Sequence, residues 1–212
     1  MATKLGLFNG ALMELGHRRV VDTGEEVEAA RELVVIYGQV VEECLSVGSW
    51  NFAMETIMAE ADTGVTPEFG YTEVFAKPSD WLRTISVSAD ERFSMPLLQY
   101  YDDMDFWSAD VSPIYVRYVS DDTGMGLELS RWSPLFSRFV ELELAARVCM
   151  RLTQNASLLE RTVALRDKAR RRALNQDAMD EPTKFAPPGR WTLSRGGRMA
   201  HGDRGSRSNL TG

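Results

Sequence analysis

Residues 23–53 read TGEEVEAARELVVIYGQVVEECLSVGSWNFA, and within them the chain changes its hydrophobic period. Thr23 is followed three residues later by Glu26, the spacing of a capping box in which hydroxyl and carboxylate satisfy orphan backbone N–H groups. Val27, Ala30, Val34, Tyr37, Val41 and Cys44 then recur at helical spacing, and Leu33, Val40 and Leu45 widen the apolar face. So broad a face belongs to a helix packed on two sides, in a bundle or against a neighbouring subunit. Gly48 closes it, which predicts a helix over about 25–47. From Trp50 onward the helical period is gone.

Between Trp50 and Val119 the apolar residues are aromatic and β-branched, in short runs broken by Gly, Pro, Asp and Ser. Strands are expected at Asn51–Ala59, Tyr71–Ala76, Leu82–Val87, Leu97–Tyr101 and Ile114–Val119, forming one small antiparallel sheet. Tyr115, Arg117 and Val119 alternate with Ile114, Val116 and Tyr118, so one face of that strand is wetter. Asp121-Asp122-Thr123-Gly124 reads as a turn.

Helical spacing lies on both sides of this insertion. Leu5, Phe8, Leu12 and Leu15 mark a helix over about 2–15 that Gly16 ends. Ser133-Pro134 is an N-cap with proline at the first helical position, and the helix over about 134–152 carries Leu135, Phe139, Leu142, Ala146 and Cys149. Glu143, Arg147 and Arg151, four apart, can pair on its other side. Ser157 with Glu160 reads as a second capping box, opening a helix over about 157–179 that folds back as an αα-hairpin. Its later half is strongly basic and is expected to project from the core. The fold class is therefore α+β, mainly helical: a helix bundle with a β-rich insertion over about 50–120 and an extended C-terminal arm.

The division falls near residue 181. A body of 1–181 is long enough to bury a core without disulfides or metals, whereas Pro187-Pro188-Gly189 and the later glycines stop any helix in 182–212. The net charge of −7 splits unevenly: six basic residues against Asp203 give the arm +5 and leave the body at −12. Opposite charges on two parts of one chain favour association between identical or different subunits. Phe185, Trp191 and Leu193 are apolar anchors in an otherwise polar arm, which is therefore expected to fold onto something.

Several function classes are disfavoured. The longest uncharged run, Cys44–Met54, has eleven residues, short of the roughly 18 a membrane helix needs. The N-terminus has no basic, apolar and small-residue succession of a secretory signal, so a reducing cytoplasm is the expected site of synthesis. The two cysteines, Cys44 and Cys149, fall on apolar helical positions and are expected to be buried and inert. The sequons at Asn155 and Asn209 carry no meaning without export. His17 and His201, the only imidazoles, sit in a loop and in the arm, where neither is held as a catalytic base. Asp102, Asp103 and Asp105 could chelate a hard cation, but a solvated turn between strands is the plainer expectation. The tryptophans at 50, 81, 107 and 132 stand at element boundaries, as packing residues do. No cofactor is expected, and the chain does not read as an enzyme.

Three stretches in this order carry a resemblance. They are the helix through Glu25–Val47 ending in Trp50-Asn51-Phe52-Ala53, the run Phe75-Ala76-Lys77-Pro78-Ser79-Asp80-Trp81-Leu82-Arg83, and Leu144–Thr153 followed by a long charged helix to Asp180. Over roughly residues 5–181 the chain resembles the tail tubular protein A family, the head-to-tail adaptor (connector) proteins of short-tailed bacteriophages. The resemblance implies a homo-oligomeric ring, usually a 12-mer, bound beneath the portal protein in the virion neck and carrying the tail nozzle protein. Genomic DNA would pass through it without sequence recognition, and no membrane is involved. On this reading the arm grips the portal through Phe185, Trp191 and Leu193, with Arg190 and Arg195 pairing with portal carboxylates. Arg166, Arg170, Arg171 and Arg172 are expected at a subunit or portal interface. The alternative is a nucleic-acid-binding module acting through the basic C-terminal tail.

Overall fold

The computed structural model describes residues 2–67, 70–94 and 96–180. The chain divides into two units, Met1–Glu181 and Pro182–Gly212. The second lies outside the described residues, and with it the expected arm and its anchors. The first is α+β and mainly helical. Among the described residues no helix is long and apolar enough to cross a membrane.

Helix α1 spans Lys4–Glu14, capped by the Thr3 hydroxyl, which accepts from the Gly6 N–H at 3.1 Å. It buries Leu7, Phe8, Ala11 and Leu12, and Gly16 ends it in the left-handed region at φ 68°. Helix α2 spans Glu28–Ser46 and starts later than its sequence predicts. The capping box is absent. Thr23 and Gly24 are used instead in a turn closed by the Glu25 N–H on the Asp22 carbonyl, and the Glu25 carboxylate accepts from the Val21 N–H. Glu26 therefore has no N-cap hydroxyl to answer, and Val27 caps the helix without a side-chain bond. The expected apolar face is buried through Ala30, Leu33, Val40, Val41, Cys44 and Leu45, while its members Val27 and Val34 are exposed.

Helix α3, Pro134–Thr153, has the cap read from sequence, with the Ser133 hydroxyl accepting from the Phe136 N–H at 3.1 Å. It is central, packing against α1, α2 and α4 (Ala156–Asp180). Gln154 turns the chain in the left-handed region at φ 49°, giving the expected αα-hairpin. The cap of α4 is Asn155, whose side-chain oxygen accepts from the Leu158 N–H and the Ser157 hydroxyl, so the Ser157–Glu160 box does not form. Nor does the later half of α4 project. Ala173 is buried, and Leu174 packs against the core. The Asp177 carboxylate accepts from the Asn51 backbone N–H, and the Asp177 carbonyl accepts from the Asn51 side-chain amide.

The insertion holds two three-stranded antiparallel sheets rather than one. Strands β1 (Met54–Ala59), β3 (Trp81–Ser88) and β6 (Ile114–Ser120) form the first, in the order β1-β6-β3. The second has β2 (Glu73–Ala76), β5 (Phe106–Ala109) and β4 (Tyr101–Asp102), in the order β2-β5-β4. Residues 51–53 form a 3-10 turn instead of strand, and the run expected at Leu97–Tyr101 contributes only the start of β4. Strand β5 has no counterpart among the expected strands, because four residues after an acidic cluster offer too little alternation to read. Phe75, Val87, Trp107, Ala109, Ile114 and Val116 build a core of their own within the insertion. Ile114, Val116 and Tyr118 are buried whereas Tyr115 and Arg117 are half-buried, the alternation read from sequence. Val119, with Leu82 and Ile85 beside it, joins the helical core.

The chain leaves the helices at Trp50 and returns at Trp132, and both crossings close on one ring. Phe136 lies 4.7 Å from Trp50, 4.9 Å from Phe52 and 4.9 Å from Trp132, edge-on to both indoles. Each indole N–H is satisfied locally, Trp50 on the Cys44 carbonyl at 2.9 Å and Trp132 on the Gly126 carbonyl at 2.8 Å. Position 126 admits only glycine, since a Cβ there would stand 2.1 Å from the Ser120 carbonyl oxygen. Phe136→Ala removes the shared partner of both crossings and should lower unfolding free energy by about 3–5 kcal/mol, measured by urea titration. A loss below about 1 kcal/mol would show that the crossings are held elsewhere.

Candidate interaction surface

The run 75–83 bridges the two sheets. It closes β2, turns at Pro78-Ser79 and opens β3. The Lys77 side chain is only 3% exposed. Its ammonium pairs with Asp102, donates to the Asp103 carbonyl and lies 3.4 Å above the Trp81 ring, with Trp107 at 5.4 Å. The Lys77 backbone N–H also donates to the Asp105 carbonyl at 3.0 Å. The acidic turn that sequence offered as a cation site is thus bound to a cation from the chain itself. Both indoles donate to the Thr84 hydroxyl, Trp81 at 3.0 Å and Trp107 at 2.8 Å, so Trp81 and Trp107 are packing residues, as expected.

Asp80 plays a similar part at the start of β3. Its carboxylate accepts from the Tyr118 and Ser120 hydroxyls, and its carbonyl accepts from the Asp121 N–H. Burial pushes the Tyr118 phenol above its ordinary value, and the charges of Asp80 and Glu55 push it further.

At the junction of α2, α3 and α4 lies an ion network. Glu143 is buried and meets Arg147 at 3.1 Å and Arg166 at 3.6 Å; Arg147 also pairs with Glu43. Arg151 reaches Glu32 at 3.0 Å and Glu28 at 3.7 Å. In the expected series Glu143 and Arg147 pair along α3, as their spacing predicts, while Arg147 and Arg151 also pair across to α2. Burial, with the charges of Glu143 and Glu43, raises the Cys44 thiol above its ordinary range; Cys44 and Cys149 are both buried free thiols.

Of the arginines expected at an interface, Arg166 is engaged here, paired with Glu143 and with Asp167 at 2.8 Å. Arg170, Arg171 and Arg172 are exposed. Successive helical residues are about 100° apart, so these three leave α4 in different directions. Arg170 lies beside Glu43 and Cys44, whereas Arg172 rims a groove with Lys168 on another flank. Phe185, Arg190, Trp191, Leu193 and Arg195 lie outside the described residues. So does His201, while His17 is exposed.

The groove rimmed by Lys168 and Arg172 has a volume of about 190 Å³ and an apolar floor of Leu135, Leu142, Leu165 and Ala169. Among the described residues, neither Lys168 nor Arg172 forms an ion pair; Arg138, also on the rim, pairs with Glu14 and Glu141. A wider depression lies between the start of α1 and the start of α3 and holds one charged group, Glu141, already paired with Arg138. No protein-family model matches the chain, and no curated protein matches it significantly.

Sequence reading missed the role of Lys77; the available signal was a lysine before proline, set among Phe75, Trp81 and Trp107. Lys77→Met should lower stability by about 2 kcal/mol and Asp102→Asn by about 1 kcal/mol, with a coupling of about 1 kcal/mol in a double-mutant cycle. Simple additivity in urea unfolding would sink the clamp. The raised Tyr118 phenol also sets a pH dependence. Its proton stays on in the folded chain while the unfolded phenol loses it, so its contribution is full below about pH 10 and falls as pH rises beyond. Tyr118→Phe should be less stable by about 1 kcal/mol at pH 7 and show a shallower alkaline decline. An unchanged decline in stability, measured from about pH 9 to 11 across the ordinary phenol range, would contradict this.

Proposed function

We propose that this chain is a head-to-tail adaptor of a short-tailed bacteriophage. In this reading it is a structural subunit, not an enzyme, of a ring of about twelve copies. The ring joins the portal to the tail nozzle in the virion neck and surrounds the path of the genome.

The observation that carries the reading is what the resemblance-bearing residues do. Trp50 and Phe52 seal the exit from the helices on Phe136, and Asn51 ties that exit to Asp177 of α4. Lys77 ties β4 of the second sheet to Trp81 of the first, Asp80 fixes the start of β3 to β6, and 144–153 supplies the core side of α3 and its ties to α2. These residues share one task, fixing a β-rich projection rigidly on a helical body. A subunit that must transmit position between two partners needs that rigidity, and none of the three stretches presents a held nucleophile or base. The acidic body, at −12, would also leave a channel non-adhesive to DNA. An arm that orders on its partner makes assembly sequential, since the ordering entropy is lost only on contact.

The test is native mass measurement and negative-stain imaging of the protein alone and with the portal ring of its phage. One copy per portal subunit is expected, with binding lost in a chain ending at Glu181. Retained portal binding after that truncation would refute the arm's role, through Phe185, Arg190, Trp191, Leu193 and Arg195. A monomer that ignores the portal would overturn the adaptor reading, and salt-sensitive retention of DNA by that monomer would favour the nucleic-acid module.

A further inference from the structure

The outward face of α2 is built unlike a solvated helix surface. Leu33, Tyr37, Val40 and Cys44 turn inward, and Val35, on the opposite side, is 79% exposed with Val34 beside it at 41%. One turn on is Gly38, exposed and in mid-helix. An added Cβ there would meet nothing within 4 Å among the described residues. Glycine at an exposed helix interior is destabilising relative to alanine, and nothing in the described fold requires it. A backbone approaching from outside would. Around this ridge the charge is negative. Glu42 is exposed, Glu28 is exposed and paired with Arg151, and the Asp121 carboxyl is held above its ordinary value by burial and by the neighbouring charges of Glu42 and Asp80. Among the described residues, Arg31 is the one exposed cation on that face of the helix.

The groove between α3 and α4 is the converse: apolar floor, basic rim. Its position matters. Arg147 and Arg151 mark the side of α3 that faces α2, through their pairs with Glu43, Glu28 and Glu32. Arg138 and Leu142, at the groove, lie nine and five residues before Arg147, so about 140–180° around the helix from it. The groove therefore opens away from α2, while Val35 lies on the solvent side of α2.

We propose that the Val34-Val35-Gly38 ridge of one copy seats in the Leu135/Leu142/Leu165/Ala169 groove of a second copy of this chain, with Glu42 meeting the basic rim of Lys168 and Arg172. Because the ridge on α2 and the groove between α3 and α4 are different faces of the subunit, the contact is head-to-tail: each copy offers one free ridge and one free groove, and repetition closes a ring or extends a filament. The contact deepens the ring reading above and relies on it for closure, not for the two faces.

The test is cross-linking of the full-length protein with a short bismaleimide, exploiting the burial of both native thiols. The double variant Val35→Cys/Ala169→Cys is expected to give a ladder of dimers, trimers and longer products. A mixture of the two single variants should give dimers holding one of each, and Val35→Cys alone should give none. Gly38→Ala, which should raise the melting temperature, is expected to reduce the ladder roughly fivefold, as is Lys168→Glu/Arg172→Glu. Dimers from Val35→Cys alone would replace this contact by ridge-on-ridge packing and overturn it. So would a double variant no better cross-linked than a Glu60→Cys/Glu91→Cys control, in which two exposed residues of the β-rich insertion carry the thiols. A failed ladder alongside rings seen on the portal would remove this interface and leave the adaptor reading standing; a ladder without portal binding would do the reverse.

Discussion

Phe136 is the ring on which the remainder of the molecule depends. Positioned in the first turn of α3, it is the partner of both indoles where the chain enters and leaves the β-rich insertion. Apart from Leu82, Ile85 and Val119, which the first sheet lends to the helical core, the two cores would otherwise be joined by two loose connections. Edge-on aromatic packing adds roughly 0.5–1.5 kcal/mol per pair beyond area burial and fixes an angle as well as a distance. The buried Trp50 also caps the end of α2 through the Cys44 carbonyl, so the first connection is locked to a helix terminus before it becomes a strand.

The polar groups follow the same pattern. Among the described residues, no buried side-chain nitrogen or oxygen lacks a hydrogen-bond partner. Lys77, Asp80, Thr84 and Tyr118 are all used between strands that lie far apart in sequence. Buried charges of this sort add modest stability, because desolvation offsets much of the attraction. What they add here is register: a slipped strand would leave an ammonium or a carboxylate buried without its counterpart. The short β4 and β5 are held in place by such pairings as well as by their ladders.

Much of this was legible in the sequence. Helical spacing located α1, α2 and α3, each of which buries an apolar stripe, and Leu158, Leu159 and Val163 marked the early part of α4; Ser133-Pro134 gave the start of α3 correctly. The two capping boxes failed for a local reason: Gly24 diverted Thr23 into a turn, and Asn155 outcompeted Ser157 for the orphan N–H groups of α4. The exposure of two early valines of α2 was not legible, since those at 27 and 34 satisfy the period as well as those at 40 and 41. The candidate surface was harder still. Three consecutive arginines look like one patch in a line of text, but helical rotation sends them three ways, and Arg166 was already matched by a glutamate on another helix. Pairings across elements have no sequence period to betray them.

The closeness of the two crossings, at 4.7 and 4.9 Å from the same phenyl ring, makes the insertion a cartridge. Its two ends enter and leave at a single port, so the helices do not register how much chain lies between them. Loops can be added and the second sheet remodelled without moving the path of α2 or α3, provided that Leu82, Ile85 and Val119 keep their places in the helical core. A lineage can therefore retune what the projection meets while leaving the scaffold that carries it untouched.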